Sequence, residues 1–211
     1  LNNYYDKVIT ENLSINFNKD GIELINANYK EAVSISVDFL DQAINDKIKL
    51  RFSGKKDIFN KLFPIKNSTL LDCTAGYGRD SYILRSMGFN VTMIENSPVM
   101  SLLLNNALKK LKLSNFTMYH GNSYDYLSHS KKYYDYIYID FMFNKLKKNS
   151  LSSKNDETLK LISFQENNKN NLISLAIKKS NSRVVVKEPK HSLSNILKPE
   201  YTIKTKLLNF N

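Results

Sequence analysis

The sequence predicts an α/β fold with a mostly parallel central sheet, helices on both of its faces and a small β extension at the N-terminus. Two observations support this. From Ser68 onward, short apolar runs alternate with segments of helical periodicity, which is typical of repeated βα units. Before that point, residues 12–26 contain two alternating runs around Asn18-Lys19-Asp20-Gly21, a turn sequence that favours a β-hairpin.

The N-terminal elements come first along the chain. Residues 33–56 pass from alternating residues into an amphipathic stretch that ends in the basic connector KLRFSGKK. We therefore expect residues 1–56 to form an extension of hairpin, helix and connector, and residues 57–211 to form the main domain. The strands predicted in that domain are TLLDCT, NVTMIE, NFTMYH, YDYIYID, RVVVKEP and a final alternating strand, YTIKTKLLNF.

Helices are predicted between these strands, at 79–87, 98–112, 123–129 and from about Glu157 to Lys179. The second of them begins with Ser97 as a plausible cap and Pro98 in the first turn, where a missing N–H is harmless. The segment 145–157 is polar, basic and free of periodicity, so we predict a mobile loop there.

The composition limits which binding partners and which cellular compartment fit this protein. The chain has 31 Lys and Arg against 20 Asp and Glu, a formal charge of +11, which suits a nucleic acid but also a merely well-solvated surface. The one cysteine, Cys73, permits no internal disulfide. With no apolar run long enough to cross a bilayer and no leader pattern, the sequence predicts a cytoplasmic protein without a membrane partner.

A glycine turn suggests a nucleoside-binding site. In LLDCTAGYGRDSYIL (70–84), Gly76 and Gly78 follow an apolar strand, where backbone N–H groups of an α/β sheet approach a ligand. Glu95 closes the next strand nineteen residues after Gly76, near the spacing at which an acid binds ribose hydroxyls. Taken singly, either feature also fits an ordinary tight turn or a solvated strand end.

The acids around the turn favour one cofactor over another. A dinucleotide site needs a third glycine or alanine, and this chain has Ser81 there. Asp72 and Asp80 bracket the turn and would repel a pyrophosphate, whereas S-adenosylmethionine (SAM) carries a sulfonium and an ammonium group. The sequence therefore favours methyl transfer over nucleotide-linked oxidoreduction.

Two later strand ends are compatible with that chemistry. Asn122 and Ser123 follow the third strand and could address an adenine edge, or could simply cap a helix. Asp140 follows the fourth strand, and either it or a neighbouring carbonyl could accept an N–H of an exocyclic amine, with Phe141 or Phe143 stacking on an extruded base. The alternative is that both Phe residues belong to the core and Asp140 caps a strand.

With these residues in view, the chain resembles the ribosomal RNA small-subunit methyltransferase J family. The motifs that carry the resemblance are VDFL (37–40), D-x-T-A-G-x-G-R-D (72–80), MIENSPV (93–99), HGNS (120–123), D-x-M-F (140–143) and VVVKEP (184–189). The resemblance implies a Rossmann-like class I methyltransferase with an α/β/α sandwich, which uses SAM to methylate the N2 amino group of a guanine in 16S ribosomal RNA.

The resemblance also implies site residues. Cofactor contacts would fall on Arg79 with Asp80, Glu95 with Asn96, Asn122 with Ser123, and Asp140, in addition to the Asp72, Gly76 and Gly78 of the turn. Asp140 and Phe143 are the predicted catalytic residues. The predicted substrate-binding residues, which include members of a basic rim for RNA phosphates, are Arg51, Lys55, Phe141, Phe143 and Lys187.

This chain departs from the family where prolines stiffen the fourth-strand motif, because Phe141 and Asn144 replace them. A methyltransferase-like protein that binds ribosomal RNA without catalysis therefore remains an alternative. The three histidines are scattered without metal-ligand spacing, so we expect no metal site. The expected partner is small-subunit ribosomal RNA or the 30S particle, and the expected state is a monomer.

Overall fold

The computed structural model describes residues 12–53, 57–141, 154–163, 168–189, 197–205 and 208–211. The strands are β1 (Leu13–Asn18), β2 (Gly21–Asn26), β3 (Val33–Ile35), β4 (Thr69–Asp72), β5 (Asn90–Glu95), β6 (Phe116–His120), β7 (Tyr134–Asp140), β8 (Ser180–Pro189), β9 (Ile203–Lys204) and β10 (Leu208–Phe210). The helices are α1 (Gln42–Ser53), α2 (Ile58–Leu62), α3 (Arg79–Ser86), α4 (Pro98–Leu111), α5 (Ser123–His129), α6 (Lys154–Ile162) and α7 (Lys169–Lys179).

The main sheet has the strand order β6-β5-β4-β7-β8-β10-β9. Its first five strands are parallel; β10 pairs antiparallel with β8, and β9 pairs antiparallel with β10 at the edge. The mostly parallel sheet predicted from the βα alternation is therefore confirmed. Because β4 lies between β5 and β7, the glycine turn after β4 lies at the centre of the sheet edge where all the parallel strands end.

Alternating side chains of the central strands bury two separate faces. Leu70 and Tyr136 belong to one hydrophobic cluster, and their chain neighbours Leu71 and Ile137 belong to the other. The first cluster includes residues of α3 and α4, and the second includes residues of α5 and α7. The molecule thus has the three layers expected of an α/β/α sandwich.

The N-terminal hairpin is confirmed, with β1 and β2 antiparallel and β3 added beside β2. Asn18 fixes the turn, because its side-chain oxygen accepts the backbone N–H groups of Asp20 and Gly21 at 2.9 Å each. Buried residues of this sheet, such as Leu24 and Ile35, share one cluster with Leu104 of α4. The predicted division at residue 56 falls beside residues outside the described part and stays a prediction.

Two predicted elements are wrong in extent. The final segment forms two short strands instead of one, because Thr205 turns the chain by bonding to Leu208 through both its hydroxyl and its backbone N–H. The helix predicted from Glu157 to Lys179 is two helices, α6 and α7, with Ser163 and Asn168 outside them. The Asn168 carbonyl accepts the backbone N–H groups of Asn171 and Leu172, so α7 begins directly after Asn168.

The loop predicted at 145–157 lies largely outside the described residues, although its last four residues belong to α6. The predicted start of α4 is confirmed. Ser97 accepts the backbone N–H of Met100 at 3.3 Å, and Pro98 occupies the first helical position.

Candidate active site

The turn after β4 depends on both glycines, but for different reasons. Gly76 and Gly78 have φ values of 52° and 68°, a left-handed conformation that other residues rarely adopt. A Cβ on Gly76 would meet only Leu159, at 3.8 Å, whereas a Cβ on Gly78 would lie 2.9 Å from both Leu104 and Phe39. Gly76 therefore keeps the ligand side of the turn open, and Gly78 lets the turn pack on the core.

Asp72, at the end of β4, holds the turn from within. It is only 2% exposed, and it accepts the Ser81 hydroxyl at 2.5 Å and the Thr74 backbone N–H at 2.9 Å. Burial raises the pKa of Asp72 to about 6, against the opposing effect of these hydrogen bonds. Ser81, which stands where a dinucleotide site has its third glycine, thus serves as the partner of this carboxylate.

Glu95, at the end of β5, joins two neighbouring turns. Its carboxylate accepts the backbone N–H of Gly76 at 2.8 Å and that of Ser97 at 2.7 Å. Burial raises the pKa of Glu95 to about 7, and the hydrogen bonds from Ser97 and Gly76 oppose that rise. The carboxylate is therefore poised to lose its proton near neutral pH.

A cleft opens at the carboxyl ends of the parallel strands and brings together seven of the fifteen predicted site residues. The predicted residues that line this cleft are Gly76, Glu95, Asn96, Asn122, Ser123, Asp140 and Phe141. The remaining lining residues are Cys73, Thr74, Ile94, Ser163, Lys169 and Leu172.

The polar pair after β6 caps a helix as well as lining the cleft. The side-chain oxygen of Asn122 accepts the backbone N–H groups of Tyr124 and Asp125 at 2.8 and 3.1 Å. The hydroxyl of Ser123 donates to the Cys73 carbonyl, which ties α5 to the end of β4. The capping alternative is thus observed, and contact of this pair with a cofactor stays a prediction.

Asp140, at the end of β7, forms an ion pair across the sheet edge. The ammonium of Lys187 lies 2.5 Å from Asp140 Oδ2 and 3.1 Å from Asp80 Oδ2, and the Tyr138 hydroxyl donates to the same Asp80 oxygen at 2.8 Å. The backbone N–H of Asp140 is held by the Thr74 hydroxyl at 2.7 Å. The four polar side chains Asp80, Tyr138, Asp140 and Lys187 are called the β7–β8 cluster below.

Within this cluster, burial and the neighbouring charges shift the pKa values of Asp140 and Lys187 in opposite directions. Burial raises the pKa of Asp140, while the positive charge of Lys187 pulls it down. Burial lowers the pKa of Lys187, but Asp80 and Asp140 raise it by more, so the ammonium stays charged. Burial and the neighbouring carboxylates raise the pKa of Tyr138 far above its ordinary value, so this hydroxyl acts only as a neutral donor.

Of the remaining predictions, Phe141 lines the cleft but is buried, and Arg79 lies away from the cleft. Phe141 is 4% exposed, with the Lys169 ammonium 5.1 Å from its ring centre, so stacking of a base on Phe141 would require Lys169 to move. Arg79 is exposed, and its guanidinium lies over the ring of Tyr77. It lines a second hollow, whose other walls include residues between 36 and 44. Arg51 belongs to α1, whose last side chains are not described, and Phe143 and Lys55 lie outside the described residues. Their roles stay predictions.

Sequence reasoning missed three residues of the site: Thr74, Tyr138 and Lys169. The first two had a usable signal. Thr74 directly follows the strand that carries Asp72, and Tyr138 lies two residues before Asp140, hence on the same side of β7. Lys169 begins a helix after a long polar stretch, and nothing local in the sequence marks it as part of the cleft.

Within the described ranges, no group of three or more His, Cys, Asp or Glu residues could hold a metal ion. The same part of the chain contains no helix that is both long and apolar enough to span a membrane.

Comparison with known proteins decides the family. Residues 6–211 match the sequence model of a family described as "Putative SAM-dependent methyltransferase". The chain is also 34% identical over 185 residues to the ribosomal RNA small subunit methyltransferase J of Coxiella burnetii (strain RSA 331), a match that covers 83% of this chain and 72% of that protein. The chain belongs to this family of SAM-dependent methyltransferases.

Other relatives agree. The methyltransferase is 31% identical over 193 residues to the ribosomal RNA small subunit methyltransferase J of Buchnera aphidicola, across 85% of this chain and 77% of that one. Its fold matches the crystal structure of a SAM-dependent methyltransferase from Neisseria gonorrhoeae with a TM-score of 0.66 and 22% identity, over 90% of this chain and 77% of the other. The predicted family and the Rossmann-like class I fold are thus confirmed.

The cleft of the methyltransferase fits SAM by its donor set. Carboxylates of Glu95 and Asp140 line it, and the open face of Gly76 lets a ligand approach the backbone. Glu95 can accept ribose hydroxyl groups, and the acidic residues favour a cation over a pyrophosphate. The cofactor assignment that the acids suggested from the sequence agrees with the family.

Proposed function

We propose that this methyltransferase transfers a methyl group from SAM to the N2 amino group of a guanine in small-subunit ribosomal RNA. The observation that carries the proposal is the position of Asp140. Its carboxylate lies on the wall of the cofactor cleft, at the end of a central parallel strand, where a base entering from outside would meet it.

The chemistry of guanine N2 explains why a carboxylate is needed there. The lone pair of that amino group is delocalised into the ring, so attack requires alignment and an acceptor for an N–H. When bound, SAM supplies an electrophilic methyl group on its sulfonium sulfur. Asp140 holds one amino proton at its carboxylate oxygen, and that contact orients the nitrogen lone pair toward the cleft.

The remaining residues of the cleft would bind and position the cofactor. Glu95 and Asn96 would hold its ribose, Asn122 and Ser123 would bind its adenine, and the open side of Gly76 would let it approach the backbone. The surplus of 11 positive charges favours an RNA partner over a small neutral substrate. Relatives named as small-subunit ribosomal RNA methyltransferases support the same substrate class, and a cytoplasmic location follows from it.

The test uses small-subunit RNA that lacks the modification, both as naked 16S RNA and as the assembled 30S particle. After incubation with the protein and isotope-labelled SAM, nuclease digestion and mass spectrometry should detect labelled N2-methylguanosine. Label on another base or another atom would overturn the assignment. Binding of RNA and SAM without any label would favour the alternative of an RNA-binding protein without catalysis.

A second measurement isolates the cofactor. Calorimetric titration should show binding of SAM and none of NAD at equal concentration. Preference for NAD would revive nucleotide-linked oxidoreduction and remove the electrostatic argument for the turn.

A further inference from the structure

The β7–β8 cluster contains a cation that the sequence assigned to RNA phosphates. Lys187 lies directly opposite Asp140 in the register of β7 and β8, so the backbone itself places the two side chains together. The side chain of Lys187 is only 20% exposed, and its ammonium contacts two carboxylates. An RNA phosphate that approached Lys187 would also approach both of those negative groups, so the phosphate role is electrostatically unfavourable.

We propose that Lys187 is a positioning residue for methyl transfer, which links Asp80 to Asp140 and holds the Asp140 carboxylate ready to accept the N–H of the target amine. The inference rests on the proposed function and extends it to a residue outside the cofactor motifs. Lys187 binds Oδ2 of Asp140, and the proposal assigns the other oxygen, Oδ1, to the amino group.

Lys187 also connects two elements of the fold, because its ammonium contacts carboxylates on α3 and on β7. Asp80 lies in the first turn of α3, beside the glycine turn, and lines the second hollow, whereas Asp140 lines the cofactor cleft. The ammonium of Lys187 therefore ties the first turn of α3 to the end of β7, and the Tyr138 hydroxyl supports the same Asp80 oxygen. Both carboxylates would repel one another without the cation between them.

The ionisation of Asp140 should then depend on Lys187. Burial and the negative charge of Asp80 favour the protonated form of Asp140, and Lys187 favours the ionised form. The other charged or titratable groups that face this region are Asp72 on β4, Tyr138 on β7 itself, and Glu95 and Lys169 on the walls of the cleft. Among the residues that the structure describes, Lys187 is the cation in direct contact with the Asp140 carboxylate.

The experiment compares Lys187→Met with Lys187→Arg and with Lys109→Met. The Lys109 change removes the same charge from an exposed position on α4, far from the cluster in sequence. Methyl transfer is measured between pH 5 and 9 at saturating SAM and RNA, and SAM affinity is measured over the same range by calorimetry. Thermal unfolding of each variant checks that the fold is kept.

For Lys187→Met we expect the acidic limb of the pH–rate profile to move upward by roughly 1 to 3 pH units, because one opposite charge at hydrogen-bonding distance shifts a carboxyl by that amount. The rate at neutral pH should fall about tenfold or more and recover as the pH rises. Lys187→Arg should keep most of the wild-type profile, and Lys109→Met should leave it unchanged. In an Asp140→Asn background, Lys187→Met should cause no further shift.

A wild-type pH limb in Lys187→Met, with only a higher KM for RNA, would overturn the proposal and return Lys187 to the phosphate-binding rim. Loss of activity in Lys187→Met that neither high pH nor Lys187→Arg restores would also overturn it, since a merely structural role predicts that pattern. If the wild-type protein fails to methylate guanine N2, the proposed function fails by itself. The pH dependence of SAM affinity then still tests Lys187, because equal profiles for wild type and Lys187→Met would exclude the link to Asp140.

Discussion

The two halves of the cleft are built in different ways. At the ends of β4 and β5, Asp72 and Glu95 are nearly buried, and backbone N–H groups account for most of the hydrogen bonds that hold them. At the ends of β7 and β8, Asp140 is one third exposed and is held mainly by the side chain of Lys187. The cofactor half is therefore fixed by the main chain, whereas the proposed substrate half is fixed by charges.

This difference predicts how each half of the cleft responds to mutation and to pH. Backbone hydrogen bonds keep their geometry when the pH changes or when a surface charge is removed. An ion pair depends on both partners being charged, and the loss of one partner leaves a costly unpaired charge. Mutations and pH should therefore act on stability and affinity in the first half and on turnover in the second.

The largest expected effect concerns the charged half. Asp140→Asn keeps the shape of the side chain but removes the negative acceptor, so methyl transfer should slow by roughly 10²-fold to 10⁴-fold. Rates from labelled SAM and ribosomal RNA measure this, with thermal unfolding as the check on the fold. A rate within threefold of wild type would assign the acceptor role to a backbone carbonyl.

The two glycines provide a matched pair in the backbone-held half. Gly78→Ala combines left-handed strain with contacts at 2.9 Å, so it should lower the free energy of unfolding by about 2 to 5 kcal/mol. Gly76→Ala adds only an ordinary contact with Leu159, so about 1 to 2 kcal/mol of strain is expected and the main loss should be SAM affinity. Urea unfolding and calorimetry separate the two effects. Equal destabilisation by both changes would contradict the assignment of one glycine to the core and the other to the ligand.

The pH dependence of stability tests Glu95. Its pKa is raised from an ordinary 4.5 to about 7, so the folded protein binds a proton more tightly than the unfolded chain does. Stability from this group is thus fully present below pH 4.5 and is lost as the pH rises toward 7, by a total of about 3 kcal/mol. Urea unfolding without cofactor should show this slope, reduced in Glu95→Gln. Part of the slope should remain, since Asp72 acts in the same direction.

SAM affinity provides a further test of the role of Glu95 in the backbone-held half of the cleft. Glu95→Ala should weaken SAM binding by about 1 to 3 kcal/mol, because ribose hydroxyls lose a charged acceptor. In the wild-type protein, SAM binding near pH 7 should release protons, since those hydroxyl contacts favour the ionised carboxylate. Calorimetry in buffers of different ionisation enthalpy measures that release. Wild-type affinity in Glu95→Ala would place the ribose elsewhere.

The smallest expected effect belongs to Tyr138→Phe, which removes one neutral donor from Asp80 and leaves the ring in the core. A loss of about 1 kcal/mol in stability is expected from one such hydrogen bond, with little change in the pH–rate profile. A shift of that profile as large as the one expected for Lys187→Met would show that Tyr138, as well as Lys187, sets the charge of Asp140.

Much of the cofactor half was predictable from the sequence because its determinants are local. The glycine turn, Glu95, the cap at Ser97 and the polar pair after β6 each lie next to the strand end that positions them. The hydrogen bond between Ser81 and Asp72 was not predicted, although the two residues flank the same glycine turn, because the serine was interpreted only as the absence of a third glycine.

The charged half was harder because its contacts join distant parts of the chain. Lys187 meets Asp140 only through the register of β7 and β8, and it meets Asp80 only through the position of α3. A lysine at a strand end looks like any other basic residue until the strand order is known. The sequence pattern also predicted one helix where the structure has α6 and α7, with Ser163 and Asn168 outside both helices.

Helix α6 gives the N-terminal sheet an unexpected importance. Thr158 accepts a hydrogen bond from Asn26, and Glu157 accepts one from Tyr29, while Tyr77 of the glycine turn donates to the carbonyl of Asn155 at 2.8 Å. One short helix therefore contacts both the N-terminal sheet region and the glycine turn. A fragment without β1 to β3 would lose the hydrogen bonds that Asn26 and Tyr29 make with α6. We therefore expect a minimal catalytic fragment of this enzyme to need its first three strands.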